Sequence, residues 1–198
     1  MAEHRKRSWW APAATVSVGL MVGLLTGWAA ITGGMGGKNY SGWYGSDVTG
    51  SADAGPWLRA RVAISGLLAL NKSQAVYFTR KTDDAGERFR EDCRYRVSGT
   101  QLPGQWWSVT VYAADNYLPL NDDDALSFDS TEVKPDPNGK WTALLGPARP
   151  EGEAWASTRN AGEFDITLRI YQPGAGAQAD YNSIPMPSVT KLDCGGKA

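Results

Sequence analysis

The chain has 198 residues, a size that fits one domain of roughly 100 to 200 residues plus a short appendage. Hydrophobic residues make up 42% of it and charged residues 21%, a composition that excludes a wholly disordered chain. Its formal charge is −1 although Arg5, Lys6 and Arg7 cluster at the start, so the remainder is acidic and lacks the basic surface that nucleic-acid binding needs.

An uncharged apolar segment covers residues 9–31 and follows a basic tail of residues 1–8. At about 1.5 Å per helical residue it is long enough to cross a hydrocarbon core of roughly 30 Å. The alternative is a cleaved signal peptide, whose apolar core is usually about 7 to 15 residues long. Moreover, Trp28-Ala29-Ala30 places a bulky ring where a cleavage site prefers a small side chain. We therefore expect a single transmembrane signal-anchor.

The distribution of positive charge predicts the orientation of this anchor. Three basic residues precede the apolar segment, whereas only Lys38 follows it closely. Because positively charged flanks stay in the cytoplasm, we expect a cytoplasmic N-terminus, one pass through the inner membrane and a periplasmic C-terminal domain.

A glycine repeat marks one face of the predicted anchor helix. Gly19, Gly23 and Gly27 recur every four residues, and such spacing lets the backbone of another helix approach closely. The partner is then another membrane subunit or a second copy of this chain. The alternative is that these glycines have no packing role, since glycine is common in membrane helices.

The anchor is followed by a predicted tether and a predicted helix. Residues 32–55 are rich in Gly, Ser and Asp, which favours a flexible tether. The next segment, PWLRARVAISGLLAL, has apolar residues near helical spacing behind Pro56. We expect a helix over residues 56–70 that lies against the domain, which would then comprise residues 56–198.

Downstream of this helix the hydrophobic pattern changes to period two, which is typical of half-buried strands. Five segments show it: AVYFTRKT, CRYRVSG, WWSVTVYAA, KWTALLG and EFDITLRIYQ. No helix of useful length separates them, which excludes a parallel α/β sheet. We therefore predict a mainly β domain, an antiparallel sandwich or a jelly-roll-like fold.

The two cysteines bear on the compartment. Cys93 opens one predicted strand and Cys194 lies near the end of the chain. In an oxidising compartment they can form a disulfide if their strands are neighbours, and we expect this bridge. The alternative is two unrelated thiols.

Several segments, taken in order, resemble the domain of unknown function 1214 family. They are RARVAISGLLALNKSQAVYF, CRYRVSG, WWSVTVYAADNYL and FDITLRIYQP, and the resemblance covers residues 43–194. The paired Trp106-Trp107 and the run LRIYQP at residues 168–173 are the most similar parts. The resemblance implies a mainly β domain, often exported and without an assigned activity. In longer relatives it follows a second domain of unknown function, numbered 1254, for which we find no counterpart here.

Few residues suit catalysis. His4 is the only histidine, and the predicted topology places it in the cytoplasm. Serine–histidine and cysteine–histidine catalytic sites and histidine-ligated metal sites all need an imidazole in the domain. We find no phosphate-binding glycine loop followed by lysine and a hydroxyl residue. The sequence therefore favours a non-catalytic protein without a cofactor.

The carboxylates leave two alternatives open. Asp122 to Asp124, with Asn121 and Asp129 nearby, could supply oxygen ligands for Ca²⁺, but their spacing lacks the pattern of a helix-loop-helix calcium site. We expect a solvated acidic loop and no metal. Glu163 and Asp165 could form part of a glycosidase-like pair, which needs two carboxyl groups facing each other across a sugar bond.

The aromatic residues suggest a binding surface. Alternation in the WWSVTVYAA strand predicts that Trp107, Val109 and Val111 face the core. The opposite, polar face is our candidate binding site, and its residues are Trp106, Ser108, Thr110 and Tyr112. Its rings could stack on a sugar or anchor a protein. The alternative is that most of the aromatic rings are core.

Two functional hypotheses follow from these features. The first is a membrane-anchored periplasmic protein that acts as a non-catalytic binding or scaffold subunit of a membrane protein complex. The second is a carbohydrate-binding or carbohydrate-processing module of the cell envelope.

Overall fold

The computed structural model describes residues 9–32, 37–64 and 70–195. Three α-helices occur in these ranges: α1 (Trp10–Thr32), α2 (Pro56–Ile64) and α3 (Ala175–Ala179). A single 3₁₀ turn, Tyr181–Ser183, follows α3. The remaining regular structure is β-strand, so the predicted mainly β class is confirmed.

Ten strands make up the domain within the described ranges. In chain order they are β1 (Lys38–Tyr40), β2 (Trp43–Gly45), β3 (Ala75–Arg80), β4 (Cys93–Gly99), β5 (Trp106–Ala113), β6 (Ser127–Asp129), β7 (Trp141–Gly146), β8 (Ala154–Ser157), β9 (Phe164–Tyr171) and β10 (Ser188–Cys194). The five strands expected from period-two alternation are β3, β4, β5, β7 and β9.

The strands form two sheets. The larger sheet has the order β1-β2-β3-β9-β5-β6 and is antiparallel throughout. The smaller has the order β10-β4-β7-β8. Its β7 and β8 run parallel, which differs from the wholly antiparallel arrangement that we expected.

The core lies between the two sheets. Phe164, Ile166, Leu168 and Ile170 on β9 are fully buried, as the alternation predicts. Across the sheets, the ring of Trp107 on β5 stacks on that of Trp141 on β7, with centroids 4.5 Å apart. The inward faces of both sheets belong to one cluster of buried side chains. This packing is sandwich-like, and burial of apolar area stabilises it.

Part of the segment expected to be a tether belongs to the larger sheet. Residues 38–45 form its outermost hairpin, β1 and β2. Trp43 is fully buried, and its indole N–H donates a hydrogen bond to the carbonyl of Pro187 at 2.8 Å. The burial of this large ring explains why a glycine-rich stretch becomes ordered here.

Helix α2 differs from the helix predicted over residues 56–70. It ends at Ile64, residues 65–69 are outside the described ranges, and Leu70 is not helical. No residue of α2 is buried. We expected it to lie against the β domain; it packs against α1, where the guanidinium of Arg61 donates a hydrogen bond to the carbonyl of Ala30.

Helix α1 has the length and composition of a membrane span. The 21 residues Trp10–Ala30 have a mean hydropathy of 1.6, and none of them is buried within the protein. At about 1.5 Å per residue they extend roughly 31 Å, close to the thickness of a hydrocarbon core.

Candidate functional site

The candidate site is the outer face of the larger sheet, where β5 and β9 pair side by side. On this face the register places Trp106 opposite Tyr171, Ser108 opposite Arg169 and Thr110 opposite Thr167, and it ends with Tyr112 opposite Asp165. Because strand side chains alternate, these residues share one face while the apolar residues between them enter the core. We call this set the β5–β9 face.

Arg169 lies at the centre of the β5–β9 face. Its guanidinium donates hydrogen bonds to the Thr110 hydroxyl at 3.0 Å and to the Tyr112 hydroxyl at 2.5 Å. Its Cζ lies 5.3 Å from the centroid of the Tyr112 ring, within range of a cation–π interaction. No carboxylate of the described residues pairs with this guanidinium, and its side-chain hydrogen-bond partners are hydroxyl groups.

Aromatic rings border the arginine. The rings of Trp106 and Tyr171 are tilted against each other with centroids 5.1 Å apart, and both are partly exposed. Tyr77 on β3 lies across the ladder from Arg169. Burial raises the pKa of Tyr77, although a hydrogen bond from the backbone N–H of Leu70 to its hydroxyl opposes this. Tyr77 is therefore a neutral hydroxyl group at physiological pH.

Asp165, at the end of the face, is already paired. One carboxylate oxygen accepts from Arg88 at 2.5 Å, and the other lies 3.1 Å from the Lys81 ammonium. Glu163 also pairs with Arg88, at 3.6 Å. The two carboxylates of this cluster are balanced by the two cations Lys81 and Arg88. Because Asp165 is held between these cations, the cluster gives no support to a glycosidase-like pair.

The structure brings the four predicted binding residues into one row. Trp106, Thr110 and Tyr112 keep part of their surface accessible, whereas Ser108 is buried among its neighbours. Sequence reasoning missed Arg169 and Tyr171 as members of the site. Alternation along β9 places both on its polar side, but the register that sets them beside β5 is not encoded in that pattern.

The acidic loop is tied to the domain. Asp123 accepts two hydrogen bonds from Arg159, at 2.8 and 2.5 Å, and one from the Ser157 hydroxyl at 2.5 Å. Asp129 accepts from the Thr131 backbone at 2.7 Å. Nowhere in residues 9–32, 37–64 and 70–195 do three or more His, Cys, Asp or Glu side chains form a group suited to a metal ion.

A small polar cleft lies at the other end of the larger sheet. It has a volume of about 200 Å³ and is bordered by β1 and by the turn after α3, including Lys38, Asp47, Lys72, Asp180 and Tyr181. Backbone and side-chain hydrogen bonds from Asn182 hold the pKa of Asp180 below its usual range. Its charges are of both signs, so it has no clear preference for a charged ligand.

The two cysteines lie at the ends of paired strands. Cys93 begins β4, Cys194 ends β10, and their sulfur atoms lie at bonding distance, 2.01 Å. The expected pairing is therefore compatible with the fold, and it fastens the last strand to the sheet.

The glycine face of α1 is open. A Cβ atom added at Gly19, Gly23 or Gly27 would meet no atom of the described chain within 4 Å. A close helix partner on this face stays a prediction.

Comparison with known proteins gives a family and a fold. The chain resembles the crystal structure of the VPA0106 protein from Vibrio parahaemolyticus, with a TM-score of 0.58 and 21% identity over 71% of this chain and 36% of that one. A weaker match is an uncharacterized protein from Burkholderia cenocepacia, with a TM-score of 0.40 and 14% identity over 63% of this chain and 31% of that one. The chain thus spans about a third of the length of these solved structures.

No curated protein sequence matches the chain. A family model described as a protein of unknown function, DUF1214, matches residues 74–175, which include β3 to β9 and just over half of the chain. The chain belongs to the DUF1214 family.

Proposed function

We propose that this protein is a membrane-anchored, non-catalytic binding module of the bacterial envelope. In this proposal α1 crosses the inner membrane once, with the basic tail in the cytoplasm and the β domain in the periplasm. The asymmetry of basic residues around the span supports the orientation. The position of Cys93 and Cys194 as partners on paired strands fits a disulfide, and disulfides persist in an oxidising compartment.

The binding surface in this proposal is the β5–β9 face. The observation that carries it is Arg169, a half-buried cation whose hydrogen-bond partners are two hydroxyl groups. A planar guanidinium fixed in this way is preorganised for a carboxylate or a similar planar anion. The partly exposed Trp106 and Tyr171 supply flat apolar surface beside it.

A carbohydrate that carries carboxylate groups is the second, more specific candidate. Sugar rings stack on exposed aromatic faces, and a uronic acid places a carboxylate on such a ring. The Trp106–Tyr171 pair next to Arg169 offers both kinds of contact on one face. The ion pairs of Asp165 favour binding over hydrolysis, because neither of its oxygens is left for acid–base chemistry.

The test compares glycan binding by the full chain in lipid nanodiscs. We expect wild-type protein to retain oligogalacturonate and other acidic members of a glycan array in preference to neutral ones. Arg169→Gln should weaken this retention about tenfold or more, since a hydrogen bond to a charged group contributes about 1.5–3 kcal/mol. Arg169→Lys should recover only part, because lysine lacks the planar fork.

Arg96→Gln is the matched control. Arg96 is an exposed arginine on the outer face of the smaller sheet, so its removal changes the net charge equally. Equal loss in both variants would indicate nonspecific attraction. Absence of acidic glycan binding by the wild type, or full retention by Arg169→Gln, would overturn the carbohydrate proposal.

The scaffold role of α1 is a separate part of the proposal. We infer that the face of Gly19, Gly23 and Gly27 packs against a second copy or another membrane subunit, because nothing in the described chain occupies it. Gly23→Ile should reduce self-association of the full chain in mild detergent, measured by cross-linking, if the partner is a second copy. Unchanged cross-linking would exclude a second copy on this face.

A further inference from the structure

Helix α2 carries exposed apolar side chains. None of its nine residues is buried, and Trp57 and Ile64 are 55% and 66% exposed. These two residues are seven positions apart and therefore lie on the same face of the helix. Leu58 and Val62 extend the apolar surface on one side. A helix with no buried residue derives little stability from the protein that carries it.

A hydrogen-bonded contact holds α2 beside the C-terminal end of α1. The guanidinium of Arg61 donates to the carbonyl of Ala30 through two nitrogens, at 2.8 and 2.5 Å. Ala30 lies in the last turn of α1, where carbonyl groups have no partner within the helix. A cation at this end is also favoured by the helix dipole. Arg61 therefore fixes the position of α2 along the axis of the span.

That position corresponds to the membrane surface. The apolar stretch of α1 ends at Ala30, so the boundary of the hydrocarbon core falls at this level. Trp28, one turn earlier, is 70% exposed, and indole rings favour the headgroup region. Trp57 of α2 is held close to the same level by the Arg61 contact.

Arg59, the other arginine of α2, lies on a different side of the helix. Arg59 lies two residues before Arg61, and residues two apart do not share a helix face. Its guanidinium donates to the carbonyls of Ala54 and Ala52, at 2.8 and 2.7 Å, in the loop that leads into the helix. Arg61 lies between Trp57 and Ile64 on the same helix face, but its guanidinium is bound to the carbonyl of Ala30. Both arginines of the helix are thus bound to backbone carbonyls, and Trp57 and Ile64 are the exposed apolar side chains beside Arg61.

We propose that α2 lies in the headgroup region of the same membrane that α1 spans, with Trp57 and Ile64 against lipid. The inference depends on the proposed span but not on the proposed ligand. It gives the β domain a second membrane contact.

The experiment measures the depth of nitroxide labels on the full chain in nanodiscs of phosphatidylethanolamine and phosphatidylglycerol. Labels are placed at Trp57→Cys and Ile64→Cys, under non-reducing conditions that keep Cys93 and Cys194 paired. Val22→Cys in the middle of α1 is the lipid control, and Asn138→Cys in an exposed turn of the domain is the water control. Collision with oxygen reports lipid, and collision with a nickel chelate reports water.

We expect the ratio of oxygen to nickel accessibility at positions 57 and 64 to exceed that at Asn138 several-fold and to approach that at Val22. A ratio equal to that of Asn138 would overturn the inference, because the helix would then be in water. Labels at 57 and 64 that neither reagent reaches would overturn it too, because protein would then cover the face. If the Val22 label also reports water, the proposed membrane span of α1 is wrong. Loss of glycan binding alone would leave these accessibility ratios unchanged, because they do not depend on the ligand.

Discussion

Arg169 shows how a residue that is ordinary in the sequence acquires significance from its neighbours. Its charge lies between the hydroxyl groups of Thr110 and Tyr112, while the acidic group of the same face, Asp165, is paired with Lys81 and Arg88. Asp165 and Arg169 lie on the same strand, β9, but only Asp165 has an oppositely charged partner. The unpaired charge is the one placed to attract an anion.

A substitution at Gly99 tests how tightly the core packs around Trp141. A Cβ atom at Gly99 would lie 2.3 Å from the ring of Trp141, which is buried and cannot move away. Gly99→Ala should therefore lower the free energy of unfolding by about 1–3 kcal/mol, as overpacked cores do. Chemical denaturation of the full chain in detergent measures this change.

Gly176→Ala is the control for this substitution. Gly176 lies in α3, a Cβ atom there would meet nothing within 4 Å, and alanine favours a helix. We expect no loss of stability at this position. Equal stability of the two variants would contradict the described packing of Trp141.

Ionisation of Tyr181 should make the stability of the fold depend on pH in the alkaline range. Its ring packs edge-on against Phe78 and Tyr40, and burial raises the pKa of Tyr181 to about 12 from an ordinary value of 10.0. Below pH 10 the hydroxyl is neutral in both the folded and the unfolded chain, so the free energy of unfolding does not depend on its ionisation. Between pH 10 and 12 only the unfolded chain ionises, and the free energy of unfolding should fall.

Denaturation at several values of pH checks this prediction, with tyrosinate absorbance as a second readout. Tyr181→Phe keeps the ring contacts and removes the titration, so its stability should decline less over the same interval. Burial also raises the pKa of Tyr40 and Tyr95, which leaves the variant some pH dependence. Identical curves for both proteins would show that Tyr181 ionises freely.

At the scale of elements, the predicted strands are the ones that are long enough to show alternation. β5 and β9 have eight residues each and were recognised from period two. β1, β2 and β6 have three residues each, which is too short for a periodic signal. β1 and β2 depend instead on a distant contact, between Trp43 and Pro187. A pattern of neighbouring residues contains no information about such a contact.

The difference between local patterns and distant contacts also explains which half of the β5–β9 face the sequence predicts. Alternation identified the β5 half of the face, from Trp106 to Tyr112, because it needs only local order. The β9 half required knowing that β9 pairs with β5 in a register that puts Arg169 beside Ser108. The position of α2 was also not predictable, since its amphipathic pattern fits packing on a protein as well as on a lipid surface.

The last strand, β10, is held by its backbone pairing with β4, and few of its side chains are buried. Val189 is its one buried residue, and ion pairs join Asp193 to Arg94 and Lys191 to Glu87. Exposed ion pairs of this kind contribute little, so the bond between Cys93 and Cys194, 101 residues apart, is the main side-chain link that adds to the backbone pairing. Double substitution of both cysteines by alanine should lower the free energy of unfolding by about 2–4 kcal/mol.

Urea denaturation of the oxidised protein and of the double variant measures this loss. The oxidised protein treated with a reductant is the control for the substitutions themselves, and it should unfold at the same urea concentration as the variant. Reactive thiols in the untreated, folded protein would show that the bridge is absent.

At the scale of the whole molecule, an apolar helix and a β sandwich are joined over a short distance. Only five residues separate the end of α1 at Thr32 from the start of β1 at Lys38, so the larger sheet lies near the end of the helix. If α1 spans a membrane, this sheet is close to the bilayer. A ligand of the β5–β9 face would then be captured near the membrane surface rather than far from it.

We propose that α1 anchors the chain and leaves the β domain on the exported side. Protease treatment of intact spheroplasts that express the full chain, with an epitope at the C-terminus, tests this topology. We expect the epitope to be lost without permeabilisation and the untreated protein, at its uncleaved size, to sediment with the membranes. Protection of the epitope until the cells are lysed, or a soluble protein shortened by the length of α1, would contradict it.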